Sequence, residues 1–217
     1  RGRRSRLRPP PPRALGGDGD RRDRHFVSDD APPIDRWLTE LGLEVVDASG
    51  APDSQAFSRD IVVDGHRRYD LRVTVAWVAG VGGFLWAYYG LEAMEIPKRI
   101  YARMLRANFD YPFVKFAMTE DDRPMLMTEL PAAALDRDEL GRGIVRLAIV
   151  ADRLLEETAN AVADRGILPD WSERSSRNAP LMAAYRADVE SAMPAWEPPR
   201  PKVRRPGLIA RLLGRAG

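Results

Sequence analysis

The sequence predicts an α+β domain: an antiparallel sheet of five strands with helices packed on it, in the order α-β-β-β-α-β-β-α. Three observations predict it. Stretches that alternate apolar and polar residues with period two are flanked by stretches whose apolar residues recur every three or four positions. Turn dipeptides and short polar loops separate the alternating stretches at hairpin distances. A chain of 217 residues with 44% hydrophobic side chains supplies one buried core, since a domain takes about 100–200 residues.

The first helix follows Pro33, with Ile34, Leu38, Leu41 and Val45 at spacings of four, three and four. From Phe57 the period becomes two, and Asp64-Gly65 lies between residues 57–63 and 66–77. That dipeptide suits a type I′ hairpin turn because both central positions need positive φ. In the second strand Tyr69, Leu71, Val73, Val75 and Trp77 alternate with Asp70, Arg72, Thr74 and Ala76, so one face meets a core. Gly80, Gly82 and Gly83 turn the chain into a third strand over 84–91, apolar on both faces. Pro97 opens a second helix with Ile100, Met104 and Ala107 inward, running to about Asn108. Strands over 113–119 and 125–130 flank the polar turn Glu120-Asp121-Asp122-Arg123-Pro124. Asp136 caps a third helix with Glu139 reaching back, and Leu140, Ile144, Leu147, Ala151, Leu154, Thr158 and Val162 carry it to Gly166. Beyond the domain, residues 180–193 form an amphipathic docking helix.

The organisation is thus a disordered Arg/Pro-rich arm at 1–30, the domain at 31–166, a post-domain segment at 167–197 and a basic arm at 198–217. Residues 1–26 and 198–217 each carry +6, so the total of +2 leaves −10 on residues 27–197. Two basic arms on an acidic centre make whole-chain basicity a poor guide to nucleic-acid binding. Only Lys98, Lys115 and Lys202 are lysines among 34 basic residues, a bias that a GC-rich genome explains better than phosphate recognition. Residues 9–12 are all proline, read either as a proline-recognition ligand or as part of a flexible extension.

The chain has no cysteine and two histidines, His25 and His66, which excludes disulfides, thiolate nucleophiles, Cys-ligated metals and multi-histidine cages. No cofactor is implied. No run of about 18 apolar residues and no secretory signal is present, so the expected location is cytoplasmic. The chain opens on Arg1 rather than Met, which leaves room for a targeting segment upstream.

Gly80-Val81-Gly82-Gly83 joins two strands without a helix N-terminus and reads as a hairpin turn, not a phosphate loop. Glu120, Asp121 and Asp122 fall in a short exposed turn, which reads against paired catalytic carboxylates, and the EF-hand spacing is absent. His66 reads as a solvated strand residue. Trp77, Phe84, Trp86, Tyr88, Tyr89 and Tyr101 fall within 25 residues, and they either fill one core or leave part of the sheet bare. A sheet apolar on both faces needs two covers, and three helices do not supply them. The surface around Phe84, Trp86 and Tyr88 is therefore expected to meet a second copy or an extended client, with Tyr101, Met104 and Phe116 as further partner-binding candidates.

The strings Met104-Leu105-Arg106-Ala107-Asn108-Phe109, Val114-Lys115-Phe116-Ala117-Met118-Thr119-Glu120-Asp121, Leu126-Met127-Thr128-Glu129-Leu130-Pro131 and Leu135-Asp136, with Ala151-Asp152 later, fall in this order on these elements. In order and spacing they resemble the YbjN and type III secretion chaperone (CesT-like) superfamily, over the domain but neither arm. The resemblance implies a homodimer without catalytic residues, binding an apolar segment of a client or partner protein and possessed of a regulatory role in the YbjN branch. The arms and the post-domain helix depart from that pattern. In the C-terminal arm Leu208, Ile209, Leu212 and Leu213 with Arg204, Arg205, Arg211 and Arg215 form a basic amphipathic segment. It suits an anionic membrane, a partner's groove or the acidic centre of the chain itself. The competing class is a nucleic-acid or membrane-surface adaptor that makes weak polyanion contacts through its arms.

Overall fold

The structure is a computed structural model and describes residues 31–90, 96–120, 122–163 and 166–195. It is α+β, as expected, with a six-stranded antiparallel sheet in the order β1-β2-β3-β4-β6-β5. Helix α1 (Ile34–Glu40) buries Ile34 and Leu38 and stops earlier than the spacing to Val45 suggests. Gly42 takes φ 71°, and its N–H and that of Leu43 donate back to the carbonyls of Thr39 (3.0 Å) and Leu38 (2.9 Å), a Schellman closure. The chain then runs on as β1 (Val45–Ser49), an exposed edge strand. The expected sheet of five strands therefore gains a sixth, because Gly42 ends the helix before its apolar period does.

Strands β2 (Ala56–Val63) and β3 (Leu71–Val78) pair from Ala56↔Val78 to Val63↔Leu71. The connection is not the type I′ turn expected at Asp64-Gly65. Residues 64–70 form a longer loop sewn to the rest of the protein, and His66 is an exposed loop residue rather than part of a strand. The Asp152 carboxylate accepts the N–H groups of His66 (2.6 Å), Arg67 (2.9 Å) and Arg68 (2.7 Å). The buried Asp64 carboxylate accepts from the Asp70 N–H and from Arg177. Two carboxylates thus replace the local turn chemistry.

The glycine-rich turn leads into β4 (Gly82–Tyr88) as read, with the Val81 N–H donating to the Val78 carbonyl. Leu91, the expected end of that strand, lies outside the described residues. Helix α2 (Lys98–Asp110) starts after Pro97 and buries Ile100, Met104 and Ala107. Strand β5 (Lys115–Met118) is shorter than expected because Phe113 takes φ 66°, and β6 (Pro124–Pro131) follows the polar turn. Asp136 caps α3 (Arg137–Leu154) by accepting the Glu139 N–H at 2.6 Å. The Glu139 carboxylate does not close a capping box but holds Arg142 and Arg146. The expected single helix to Gly166 breaks after Leu154. There the Thr158 hydroxyl bonds the Leu154 carbonyl and the Tyr89 hydroxyl, and the short α4 (Ala159–Val162) follows.

Helix α3 lies across one face of the sheet, buried along nearly its whole length. Gly143 permits the approach: a Cβ there would stand 2.7 Å from Leu85 Cδ1 and 3.3 Å from Leu130 Cδ2. Leu140, Ile144, Leu147 and Leu154 are almost fully buried, each side chain contributing about 1.5–3 kcal/mol by leaving water. Helix α5 (Ala179–Ser191) covers the opposite side of α3 with Leu181, Met182 and Val189. Its entry is tied down by the Asp64 N–H donating to Asn178 Oδ1 at 2.9 Å, and its middle by the Tyr185 hydroxyl on Asp138 at 2.7 Å. Both arms, with residues 9–12 and the amphipathic Leu208, Ile209, Leu212 and Leu213, lie outside the described residues.

Candidate partner-binding surface

Antiparallel register fixes which side chains share a face, since directly paired residues point the same way. The pairs Val75↔Leu85, Leu85↔Thr128 and Phe116↔Leu126 line the inner face under α3. The pairs Thr74↔Trp86, Ala76↔Phe84, Trp86↔Met127 and Tyr88↔Met125 line the outer face. Among the described residues no helix covers the outer face: the helices that pack on the sheet, α3 and α2, reach its inner face and the β5 edge.

The outer face has two halves. Across β1 to β3 it is polar, with Arg72 paired to Asp60 and Asp47, and the Thr74 hydroxyl donating to Asp60 at 2.6 Å. Across β4, β6 and β5 it carries an apolar patch, with the exposed Glu129 and Lys115 beside it on the same face. Phe84, Trp86, Met125, Met127 and Ala117 are half-buried, and Tyr88 is exposed with the Arg123 guanidinium 4.9 Å from its ring centre.

The sequence-predicted site residues therefore separate. Phe84, Trp86 and Tyr88 share the bare outer face. Met104 and Phe116 do not join them. Phe116 belongs to the inner face, 8% exposed and edge-on to Tyr89, and Met104, 3% exposed, is inward on α2. Tyr101 is half-buried against the same core. The six candidates span both sides of the sheet because strand and helix apolarity do not by themselves distinguish a core face from a bare one. Sequence reasoning missed Leu105 and Phe109, which stand 68% and 92% exposed on α2. Their i, i+4 spacing on a face other than that of Ile100 and Met104 was the available signal. It also missed the exposed Phe113, whose left-handed backbone no sequence pattern announces.

Beneath the sheet, Arg68 lies 4.5 Å from the centre of the Tyr89 ring and donates to the Tyr89 carbonyl at 2.8 Å. Burial pushes the Arg68 guanidinium pKa down and the Tyr89 hydroxyl pKa up, so both are structural groups removed from water. Among the described residues no group of three or more His, Cys, Asp or Glu is placed to hold a metal ion, and no helix is long and apolar enough to cross a membrane.

The sheet edges differ from one another. At β1 the ladder is irregular between Val45 and Asp47, and the Asp47 N-terminal flank is charged by Glu44. At β5 the Asn108 side chain occupies the edge, accepting the Phe116 N–H at 2.6 Å and donating to the Phe116 carbonyl at 3.1 Å. Strand β6 is eight residues long and β5 four, so among the described residues Thr128 to Pro131 run on without a strand partner on the β5 side.

No family model matches the chain, and no curated protein matches it. Among solved structures, it is similar to a chain of the heterodimeric ExoU–SpcU complex from the type III secretion system of Pseudomonas aeruginosa. The identity is 22% and the TM-score 0.39, over 56% of this chain and 94% of that chain.

Proposed function

We propose that this protein is a non-catalytic, chaperone-like binding protein that holds an apolar segment of a partner polypeptide on the outer face of its sheet, with scope for a regulatory role. The observation that carries this reading is the uncovered patch of Phe84, Trp86, Tyr88, Met125 and Met127 in a sheet whose other face is sealed by α3. Large aromatic and methionine side chains suit an adaptable apolar contact rather than a reaction, with Glu129 and Lys115 as charged neighbours on the same face.

The test is capture by the immobilised full chain, followed by titration of the purified captured protein against wild type and a Trp86→Asp, Met127→Asp double variant. Binding that survives high salt and weakens at least about tenfold in the double variant is expected for a contact carried by apolar burial. Equal binding by the variant, or retention of polyanions alone, overturns the reading.

A second copy of the chain is proposed to pack on α2. Ala102, Leu105 and Phe109 recur there at spacings of three and four, opposite the buried Ile100, Met104 and Ala107. An antiparallel crossing centred beside Leu105 sets each Phe109 over the Ala102 of the other copy, a large side chain against a small one. Sedimentation equilibrium is expected to show a dimer that Phe109→Ser dissociates, and a wild-type monomer at 100-micromolar order of concentration contradicts it.

A further inference from the structure

The geometry points to a second binding site, for a small amphipathic monocarboxylate, in the cleft between β6 and α3. It is independent of the polypeptide contact on the outer face. Phe113 takes φ 66°, which ends β5 early, and its ring stands as one wall of the cleft. The 3₁₀ turn over Ala132–Ala134 closes a second side, and α3 closes a third with Glu139 and Arg146. The cleft so bounded holds about 620 Å³, within the range of about 300–1,000 Å³ that takes a drug-sized ligand. Two further clefts, beside Trp171 and beside Met182, hold about 290 and 250 Å³ and fall below that range.

The lining is an apolar surface with one half-buried guanidinium in it. Phe113, Met127, Pro131 and Ala134 supply the apolar part, and Arg146 stands 5.5 Å from the centre of the Phe113 ring with its side chain 17% exposed. Glu139 serves two cations with one oxygen each: Oε2 accepts from Arg142 Nε at 2.8 Å, and Oε1 from Arg146 Nη1 at 2.7 Å. Arg146 is therefore bonded through one of its five N–H donors, and among the described residues its Nε and Nη2 have no acceptor. Those two nitrogens form the fork that a carboxylate grips with both oxygens. Asp35 holds Arg59 in that way, through Nε at 2.6 Å and Nη2 at 3.0 Å.

The charges around the cleft select the ligand. Lys115 and Glu129 both stand exposed at the rim, one of each sign, and Glu139 lies beside Arg146. A phosphate dianion would face those two carboxylates with a single half-buried guanidinium to hold it, whereas a monoanion meets half the repulsion. The four apolar residues then call for an apolar body, a chain or a ring, laid between Phe113 and Pro131 with its carboxylate on Arg146. The Phe113 ring over the guanidinium keeps Arg146 at the wall, so its free donors are positioned before the ligand arrives.

The experiment is calorimetric titration of the full chain with octanoate and with octanamide, which keeps the apolar chain and loses the charge. Octanoate is expected to bind one site with a dissociation constant below about 1 mM, and octanamide at least about tenfold more weakly. That comparison uses unaltered protein, so it stands whatever the variants do. Arg146→Gln is expected to weaken octanoate to the level of octanamide and to leave octanamide unchanged. Phe113→Gly, which suits the left-handed backbone and removes the wall, is expected to weaken both. Trp86→Asp on the outer face is expected to change neither, so failure of this site and failure of the polypeptide reading are separate results. No saturable octanoate binding below about 1 mM, equal affinity for acid and amide, or octanoate binding that Trp86→Asp removes and Arg146→Gln does not, overturns the site.

Discussion

Strand β4 puts similar side chains on its two sides, and they meet opposite surroundings. Leu85 and Ala87 are 0% exposed beneath α3, while Phe84 and Trp86 are half-buried and Tyr88 is 43% exposed on a face that no described helix covers. Apolarity alone therefore does not mark a core. What separates the faces is the small Gly143, which lets α3 settle on Leu85 and Leu130, and the absence of an equivalent cover on the other side among the described residues. The sheet edges repeat the lesson at smaller scale, with Asn108 closing one and a left-handed Phe113 opening the next.

The sharpest way to break this comparison is to truncate neighbours on opposite faces. Leu85→Ala is expected to lower stability by about 3–4 kcal/mol, read as a fall in the urea midpoint at unchanged slope, because it leaves a cavity under α3. Trp86→Ala, although it deletes a larger side chain, is expected to lose only about 1 kcal/mol because its surroundings are already partly water. Comparable losses at both sites would mean that the outer face is covered.

The edges provide the next largest effect. Asn108→Ala removes both bonds to Phe116 and is expected to lower stability by about 1–2 kcal/mol, with concentration-dependent light scattering as the β5 edge becomes available. Asp136→Ala, which deletes the N-cap of α3, is expected to lose about 1 kcal/mol in the same melt without any scattering. A silent Asn108→Ala would show that its contacts do not protect the edge.

The smallest effect concerns acid. The Tyr185 hydroxyl and then Arg137 hold the Asp138 carboxyl pKa below its ordinary value, and Arg174 and Arg177 do the same for Asp70. A depressed folded-state pKa gives stability that is complete above the unfolded value, about 3.9, and is lost as pH falls through the depressed one. Native stability is expected to fall slightly below about pH 4 through these groups. Asp138→Asn should remove part of that dependence in an acid titration followed by circular dichroism.

Much of the fold was legible in the sequence because periodicity and caps are local. The Asp136 cap, Pro97 before α2, the Gly80 turn and the order of the later strands all follow from residues within a turn of each other. The departures lie where distant groups decide. Asp64-Gly65 looks like a tight turn until Asp152, far along the chain, takes three N–H groups of the loop, and Thr158 looks helical until Tyr89 bonds its hydroxyl. The bare face was legible through Phe84, Trp86 and Tyr88 because a sheet apolar on both sides outruns its helices. Phe116 turns to the core because the choice of face depends on a register that only pairing sets, whereas Met104 lies on the inward stripe of α2 that helical spacing already gives it.

Hydroxyl-radical footprinting of the full chain, free and bound to its captured partner, tests the central claim most directly. Trp86, Met125 and Met127 are expected to oxidise readily in the free protein and to be shielded in the complex, while the buried Trp77 and Met104 stay unreactive in both. Equal reactivity of Trp86 and Met127 in the two states, or shielding already present in the free monomer, would contradict it.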